Sequence, residues 1–409
     1  MTIRIQSNQT KFQKQITITG SKSESNRSLL LRALYPDLTI DNLSNSDDSG
    51  VMEKGLKITH GTVDIHHAGT AMRFLTAFFA VKPGADVILT GSKRMTERPI
   101  KILVDALRQL GADISYENNE GYPPIKIKGK QITQNKVTLA ADISSQYISA
   151  LLLVAPSLQN GLVVELEGKI TSVPYIRMTL ALLEELGVKT KFHGNTITVE
   201  PLQAAPKHNL VVESDWSSAS YFYSIAALCQ PGTTIRLSSY KENSLQGDSV
   251  LQEIYKEFGV ESAFEGHDLL LTKIKDISKD TLITLDLTNA PDIAQTIAVS
   301  CFGLGIACEL SGLHTLKIKE TDRLEALKAE LGKLGADISV TDKTLSLKAT
   351  SQINKEIAID TYDDHRMAMA FAPLALKVPL LINDAEVVSK SYPDFWNDLI
   401  SLGFQKQEV

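Results

Sequence analysis

Leu186-Gly187-Val188-Lys189-Thr190-Lys191-Phe192-His193-Gly194-Asn195-Thr196-Ile197-Thr198-Val199 ends a helix, runs through a strand, turns and starts a second strand. A glycine directly after the last apolar residue of a helix takes the left-handed backbone region, which disfavours a side chain. The residues that follow alternate apolar and polar with period two, and His193-Gly194-Asn195 joins the two alternating runs as a hairpin turn. The same signature recurs at Gly111, Gly259, Gly335 and Gly403, so the five glycines lie 76, 72, 76 and 68 residues apart. Before Gly111, the residues Ile102, Leu103, Ala106, Leu107 and Leu110 are spaced as one helix face. After Gly335, Asp337–Val340 and Leu345–Leu347 read as a hairpin around Asp342-Lys343. A helix followed by a hairpin, repeated at about 75 residues, predicts a multi-repeat α/β protein. A sixth unit falls before residue 69, where Ser49 to Ile65 is too short for a full helix and hairpin. That unit is expected to be truncated.

A chain of 409 residues, 43% of them hydrophobic, is too long for one ordinary core and implies at least two domains. Charged residues at 22% speak against disorder, and a net charge of -6 against general nucleic-acid binding. Cys229, Cys301 and Cys308 sit in apolar surroundings at spacings that match no zinc or redox motif. They read as buried free thiols of a reducing compartment. Met1-Thr2-Ile3-Arg4-Ile5 reads as a strand and not as a signal peptide. No apolar run approaches the roughly 18 residues that span a membrane. A soluble cytoplasmic protein is expected.

The chemistry gathers in short polar islands. Lys319-Glu320-Thr321-Asp322-Arg323 packs two basic and three acidic or hydroxyl side chains into five residues. Capping by Thr321 or Asp322 would start a helix there, with its free N–H groups beside the charges. Gly20-Ser21-Lys22-Ser23-Glu24-Ser25-Asn26-Arg27 precedes an apolar helix over Ser28 to Leu34 and suits a phosphate or carboxylate, without the spacing of a P-loop. His67-Ala68-Gly69-Thr70-Ala71-Met72-Arg73 puts a glycine where a backbone can approach a ligand. The neighbours His66 and His67 have no acidic partner at ligand spacing, so no metal site is expected. Arg94 and Arg98 stand before Pro99, which is placed to open a helix. Ser144-Ser145-Gln146 offers neutral donors and acceptors for hydroxyl groups. Asp292, after Pro291, taken alone reads as a helix cap, and Asp363-Asp364-His365-Arg366 places charge ahead of another apolar helix.

Together with Ser172-Val173-Pro174-Tyr175, Asp215–Ser218 and Lys390–Asp394, these motifs in this order resemble the 5-enolpyruvylshikimate-3-phosphate synthase family of enolpyruvyl transferases. The resemblance runs from Gly20 nearly to the C-terminus. It implies a two-domain inverse α/β barrel of six βαβαββ-type repeats, one of them truncated here. One domain would comprise residues 1–19 plus 214–409 and the other residues 20–213, with the active site in the cleft between them. It implies transfer of the enolpyruvyl group of phosphoenolpyruvate to the 5-hydroxyl of shikimate 3-phosphate, by a monomer needing no metal or cofactor. Carried over motif by motif, Lys22, Gly69, Arg98, Gln146, Arg323, Arg366 and Lys390 would hold phosphoenolpyruvate. Lys22, Ser23, Arg27, Ser144, Ser145, Gln146, Ser172, Asp292 and Lys319 would hold shikimate 3-phosphate. Asp292 and Glu320 would move protons, with Lys22 assisting, and the inhibitor glyphosate would compete near Gly69.

Three places depart from the family pattern: His67 and Thr315 stand where asparagine is usual, and the segment before Gly69 is short. Two other readings compete. A UDP-N-acetylglucosamine enolpyruvyl transferase typically carries a cysteine in its mobile loop, and Gly91 to Ile100 has none. A non-catalytic anion-binding repeat protein would have lost charged site residues, and here all the principal ones are present.

Overall fold

The structure is a computed structural model that describes residues 1–140, 144–168, 170–202, 204 and 207–409. The chain forms two compact units: Met1–Thr19 with Glu213–Val409, and Gly20–Val212. Each contains three sheets among the described residues.

Five four-stranded sheets share one plan. In the first, His60–Asp64 runs parallel to Asp86–Thr90, which pairs antiparallel with Ile125–Lys128, itself antiparallel to Asp113–Tyr116. One helix links the parallel strands and a second leads into the hairpin, which gives βαβαββ. The last copy lacks a strand of its own. Ile3–Gln6, from the start of the chain, fills the place between Leu380–Ile382 and Gln405–Glu408. The sixth sheet has two strands only, Thr39–Asp41 and Asn209–Val211, in parallel. The truncated repeat does hold a helix, Asp47–Leu56, so the part it lacks is the hairpin.

All five signature glycines have positive φ, from +73° at Gly259 to +99° at Gly335. At four of them the following amide reaches back to a carbonyl in the last turn. These bonds are Ala112 N to Leu107 O, Val188 N to Leu183 O, Ala336 N to Leu331 O and Phe404 N to Leu399 O, at 2.9 to 3.1 Å. Such bonds satisfy carbonyls that the helix end would leave orphaned.

The two helices of a repeat differ in burial. Lys101–Gln109 buries one stripe, Leu103, Val104, Ala106 and Leu107, and faces water elsewhere. Gly69–Val81 is buried on nearly every face, as are Trp216–Leu228 and Ala294–Leu304. The first turn of Trp216–Leu228 is capped by side chains, with Trp216 N donating to Gln246 Oε1 and Ser218 N to Asp215 Oδ1. The three cysteines are buried and free. No helix among the described residues is long and apolar enough to cross a membrane.

Candidate functional site

Nine expected site residues lie in the unit Gly20–Val212: Lys22, Ser23, Arg27, Gly69, Arg98, Ser144, Ser145, Gln146 and Ser172. The helix expected from Ser28 starts six residues earlier and spans Lys22–Leu34. The stretch expected to bind an anion is therefore the helix's own first turns. Its side chains are too polar to show an apolar period, yet Glu24, Ser25, Asn26 and Arg27 are buried. Lys22 Nζ lies 3.1 Å from Asp48 Oδ2, with both side chains largely shielded. Arg27 is enclosed: Nε donates to Thr179 Oγ1 at 2.8 Å, Nη1 to the Ser23 carbonyl at 2.7 Å, and Nη2 to Ser149 Oγ at 3.1 Å. Burial lowers its pKa to about 10. Every nitrogen of its guanidinium thus has an acceptor inside this unit, and the arginine fixes the backbone of Ser23.

Gly69 opens the helix Gly69–Val81, and the Arg98 guanidinium lies directly over it. A Cβ on Gly69 would stand 2.7 Å from Arg98 Nη1. Arg73 ties the two segments together, donating to Gly69 O at 3.1 Å and Pro99 O at 3.3 Å. Tyr147 donates to the same Pro99 carbonyl at 2.7 Å. Pro99 does not open the helix itself, which begins at Lys101. Gln146 Nε2 donates to Thr70 Oγ1 at 3.3 Å, and Ser144 caps its own helix by accepting from Gln146 N. Ser145 is buried, and Ser172 is held at φ +52° before the helix Val173–Glu185. Gly69, Arg98, Thr70 and Gln146 therefore form one cluster. His67, one of the departures, sits 3.0 Å from Ser92 Oγ through Nδ1.

Gly69→Ala should fold normally, because the flexible end of Arg98 can give way, but the guanidinium must move. A raised KM for an anionic substrate with an unchanged melting temperature is expected. A KM equal to wild type would remove Gly69 and Arg98 from the site.

The other unit holds Asp292, Lys319, Glu320, Arg323, Arg366 and Lys390. Asp322 caps the helix Arg323–Lys333, accepting from Glu325 N at 3.3 Å. Arg323 is 1% exposed and meets three carboxylates. Nε donates to Asp364 Oδ2 at 2.6 Å, Nη1 to Asp292 Oδ1 at 2.8 Å and Nη2 to Glu320 Oε2 at 2.9 Å. Burial opposes its charge, but Asp364, Glu320 and Asp292 more than reverse this and raise its pKa.

Asp292 sits in the short turn Pro291–Ile293. It faces Lys319 Nζ at 3.4 Å and Arg366 Nη2 at 3.5 Å as well as Arg323. Burial alone would raise its pKa, but Lys319, Arg366 and Arg323 hold it well below the usual carboxylate range. Asp364 caps the helix His365–Phe371 through Arg366 N at 2.9 Å, and Lys390 Nζ donates to Asp363 O at 2.6 Å. One carboxylate thus lies among three cations beside a second carboxylate, Glu320. That arrangement can hold an anion and exchange protons beside it.

Sequence reasoning missed two residues here and the role of a third. Glu330 is fully buried and accepts from Tyr362 Oη at 2.6 Å and Asp360 N at 3.0 Å, which braces the turn entering Asp364. A charged residue beside the apolar stripe Leu324, Leu327, Leu331 and Leu334 was the available signal. Asp248 was another, and Ser217 stood inside the motif Asp215–Ser218 without a role: Ser217 donates to Asp248 Oδ2 and accepts from Arg366 Nη2 at 3.2 Å.

The family described as EPSP synthase (3-phosphoshikimate 1-carboxyvinyltransferase) matches residues 57–399. A 3-phosphoshikimate 1-carboxyvinyltransferase of Bacteroides fragilis is 45% identical over 95% of this chain and 95% of its own length. One of Shewanella pealeana is 36% identical over 95% of this chain and 96% of its own. An EPSP synthase structure from Acinetobacter baumannii superposes with a TM-score of 0.78 at 21% identity, covering 100% of both chains.

Proposed function

Since this chain belongs to the EPSP synthase (3-phosphoshikimate 1-carboxyvinyltransferase) family, we propose that it transfers the enolpyruvyl group of phosphoenolpyruvate to the 5-hydroxyl of shikimate 3-phosphate and releases phosphate. It is a transferase of the shikimate pathway, and its product leads to aromatic amino acids. In the addition step the hydroxyl oxygen bonds to C2 of phosphoenolpyruvate, the hydroxyl proton goes to a base, and an acid protonates the methylene carbon to a methyl group. In the elimination step the methyl group returns a proton, the C2–O bond to phosphate breaks and the enolpyruvyl ether forms.

The observation that carries this reading is the cluster around Asp292 and Glu320. Unliganded, Asp292 is a poor base because Lys319, Arg366 and Arg323 stabilise its charge. Anionic substrates draw Lys319 and Arg366 toward themselves, and the carboxylate gains basicity when the hydroxyl is in place. Glu320, anchored by Arg323, delivers and later removes the carbon-bound proton. Arg98 and Gln146 beside Gly69, with Arg366 and Lys390, hold phosphoenolpyruvate. Lys22, Ser23, Ser144, Ser145, Ser172 and Lys319 hold shikimate 3-phosphate, and Arg27 fixes Ser23 for that contact. Lys22, paired with Asp48, assists the proton transfers. The protein acts in the cytoplasm, as a monomer and without a metal ion.

Phosphate release from phosphoenolpyruvate, measured with each acceptor in turn, tests the reading. Release should require shikimate 3-phosphate. Turnover with UDP-N-acetylglucosamine, or with neither acceptor, would overturn it.

A further inference from the structure

Asp248 is 3% exposed and lies in the turn Gly247–Val250. Its Oδ1 has no hydrogen-bond partner among the described residues, and its Oδ2 accepts the Ser217 hydroxyl. A buried carboxylate with one neutral donor is costly to keep, so its place calls for a reason. Ser217 supplies one. A serine hydroxyl carries a single proton. With that proton committed to Asp248, the lone pairs of Ser217 Oγ can only accept, and Arg366 Nη2 donates to them at 3.2 Å. The other end of the same guanidinium donates from Nη1 to the Asp292 carbonyl at 3.1 Å. Beside its ion pair with Asp292 Oδ2 at 3.5 Å, Arg366 thus makes these two hydrogen bonds, and one of them depends on the direction of the Ser217 hydroxyl.

We propose that Asp248 is a positioning residue, which orients Ser217 so that Ser217 fixes Arg366 for the anionic substrate. This rests on the assignment of Arg366 to phosphoenolpyruvate. Burial first, and then the nearby Asp292 charge, raise the Asp248 pKa to about 6, while Arg366 and the Ser217 hydroxyl oppose the rise and Asp215 adds to it. Below that pH a protonated Asp248 can donate to Ser217 and reverse the bond, which frees the hydroxyl hydrogen and removes the constraint that keeps a lone pair directed at Arg366. The acid form of the free enzyme should therefore bind phosphoenolpyruvate less well.

Steady-state kinetics and thermal melts of Asp248→Ala, Asp248→Asn, Ser217→Ala, the Asp248→Ala/Ser217→Ala double variant and Arg366→Ala decide it. Asp248→Ala and Ser217→Ala should each raise KM for phosphoenolpyruvate by about ten- to a hundredfold, the range of a hydrogen bond to a charged group. The double variant should be no worse than either single one, because both act through one chain of bonds. Asp248→Asn, whose amide oxygen can still accept, should recover most of that loss and remove the acid limb near pH 6 from kcat/KM. Melting at pH 8 should not fall in either Asp248 variant, since a costly buried charge is removed. A raised KM in Arg366→Ala with wild-type KM in Asp248→Ala, or additive losses in the double variant, would overturn the positioning role alone. Wild-type KM in Arg366→Ala would overturn the assignment beneath it as well.

Discussion

Arg323→Ala is expected to destabilise the unit that contains it by about 3–5 kcal/mol, the usual cost of breaking a buried ion pair by removing one partner, and to abolish turnover. Asp292, Glu320 and Asp364 all lean on this one guanidinium, and Asp364 is itself fully buried. Without it, three carboxylates lose their shared guanidinium, and the turn that carries Arg366 loses its tie. The pH dependence follows from sign. Asp292 has a folded-state pKa well below its ordinary value. It therefore contributes stability that is present above the unfolded pKa and lost as pH falls through the folded one. Arg323→Ala shrinks that contribution. The gap in melting temperature between wild type and variant should be widest near neutral pH and narrow toward pH 3. A gap that does not change with pH would mean that the loss is one of packing and not of charge. Arg323→Lys should not rescue, because one ammonium cannot meet three carboxylates in the fork geometry of arginine.

The architecture was legible because it repeats. A left-handed glycine after an apolar helix is a strict local requirement, and five such glycines fix five helix ends without any knowledge of contacts. The same regularity exposed the shortened repeat, though it could not tell that the hairpin, and not the helix Asp47–Leu56, was the missing part. The site was legible where one motif holds several groups, as in Lys319–Arg323. It was less legible where folding gathers single residues from far apart. Arg323 meets Asp364 across 41 positions, and Ser217 meets Arg366 across 149. Asp248 lies in a polar turn with no period and no motif, and only its burial sets it apart. The start of the helix at Lys22 was hidden for a related reason. Periodicity counts apolar residues, whereas Ser25 and Arg27 are buried against hydroxyls and backbone: Ser25 Oγ accepts from Ser44 N at 2.9 Å, and Arg27 meets Thr179 and Ser149.

Asp292→Asn and Glu320→Gln should each lower kcat by about 100- to 10,000-fold, the contribution typical of a positioned acid or base, while the protein stays folded. The two should differ in KM. Asp292→Asn leaves Lys319, Arg366 and Arg323 without that carboxylate to neutralise, so the anionic substrates should bind as well as before or more tightly. A fall in kcat with a steady or lowered KM is the signature of a group that acts on the reaction and competes with the substrate for the same cations. Glu320→Gln keeps an oxygen for Arg323 Nη2, so KM should stay near wild type. The proton each residue handles can be told apart by exchange. In deuterated water the methyl group of the addition intermediate acquires deuterium, and elimination that removes a hydrogen from it returns label to phosphoenolpyruvate or product. Glu320→Gln should suppress this incorporation directly. In Asp292→Asn any residual turnover should still carry it. Wild-type kcat in both variants would remove both carboxylates from the proton path, and undiminished labelling in Glu320→Gln would reassign the carbon-directed step to another group.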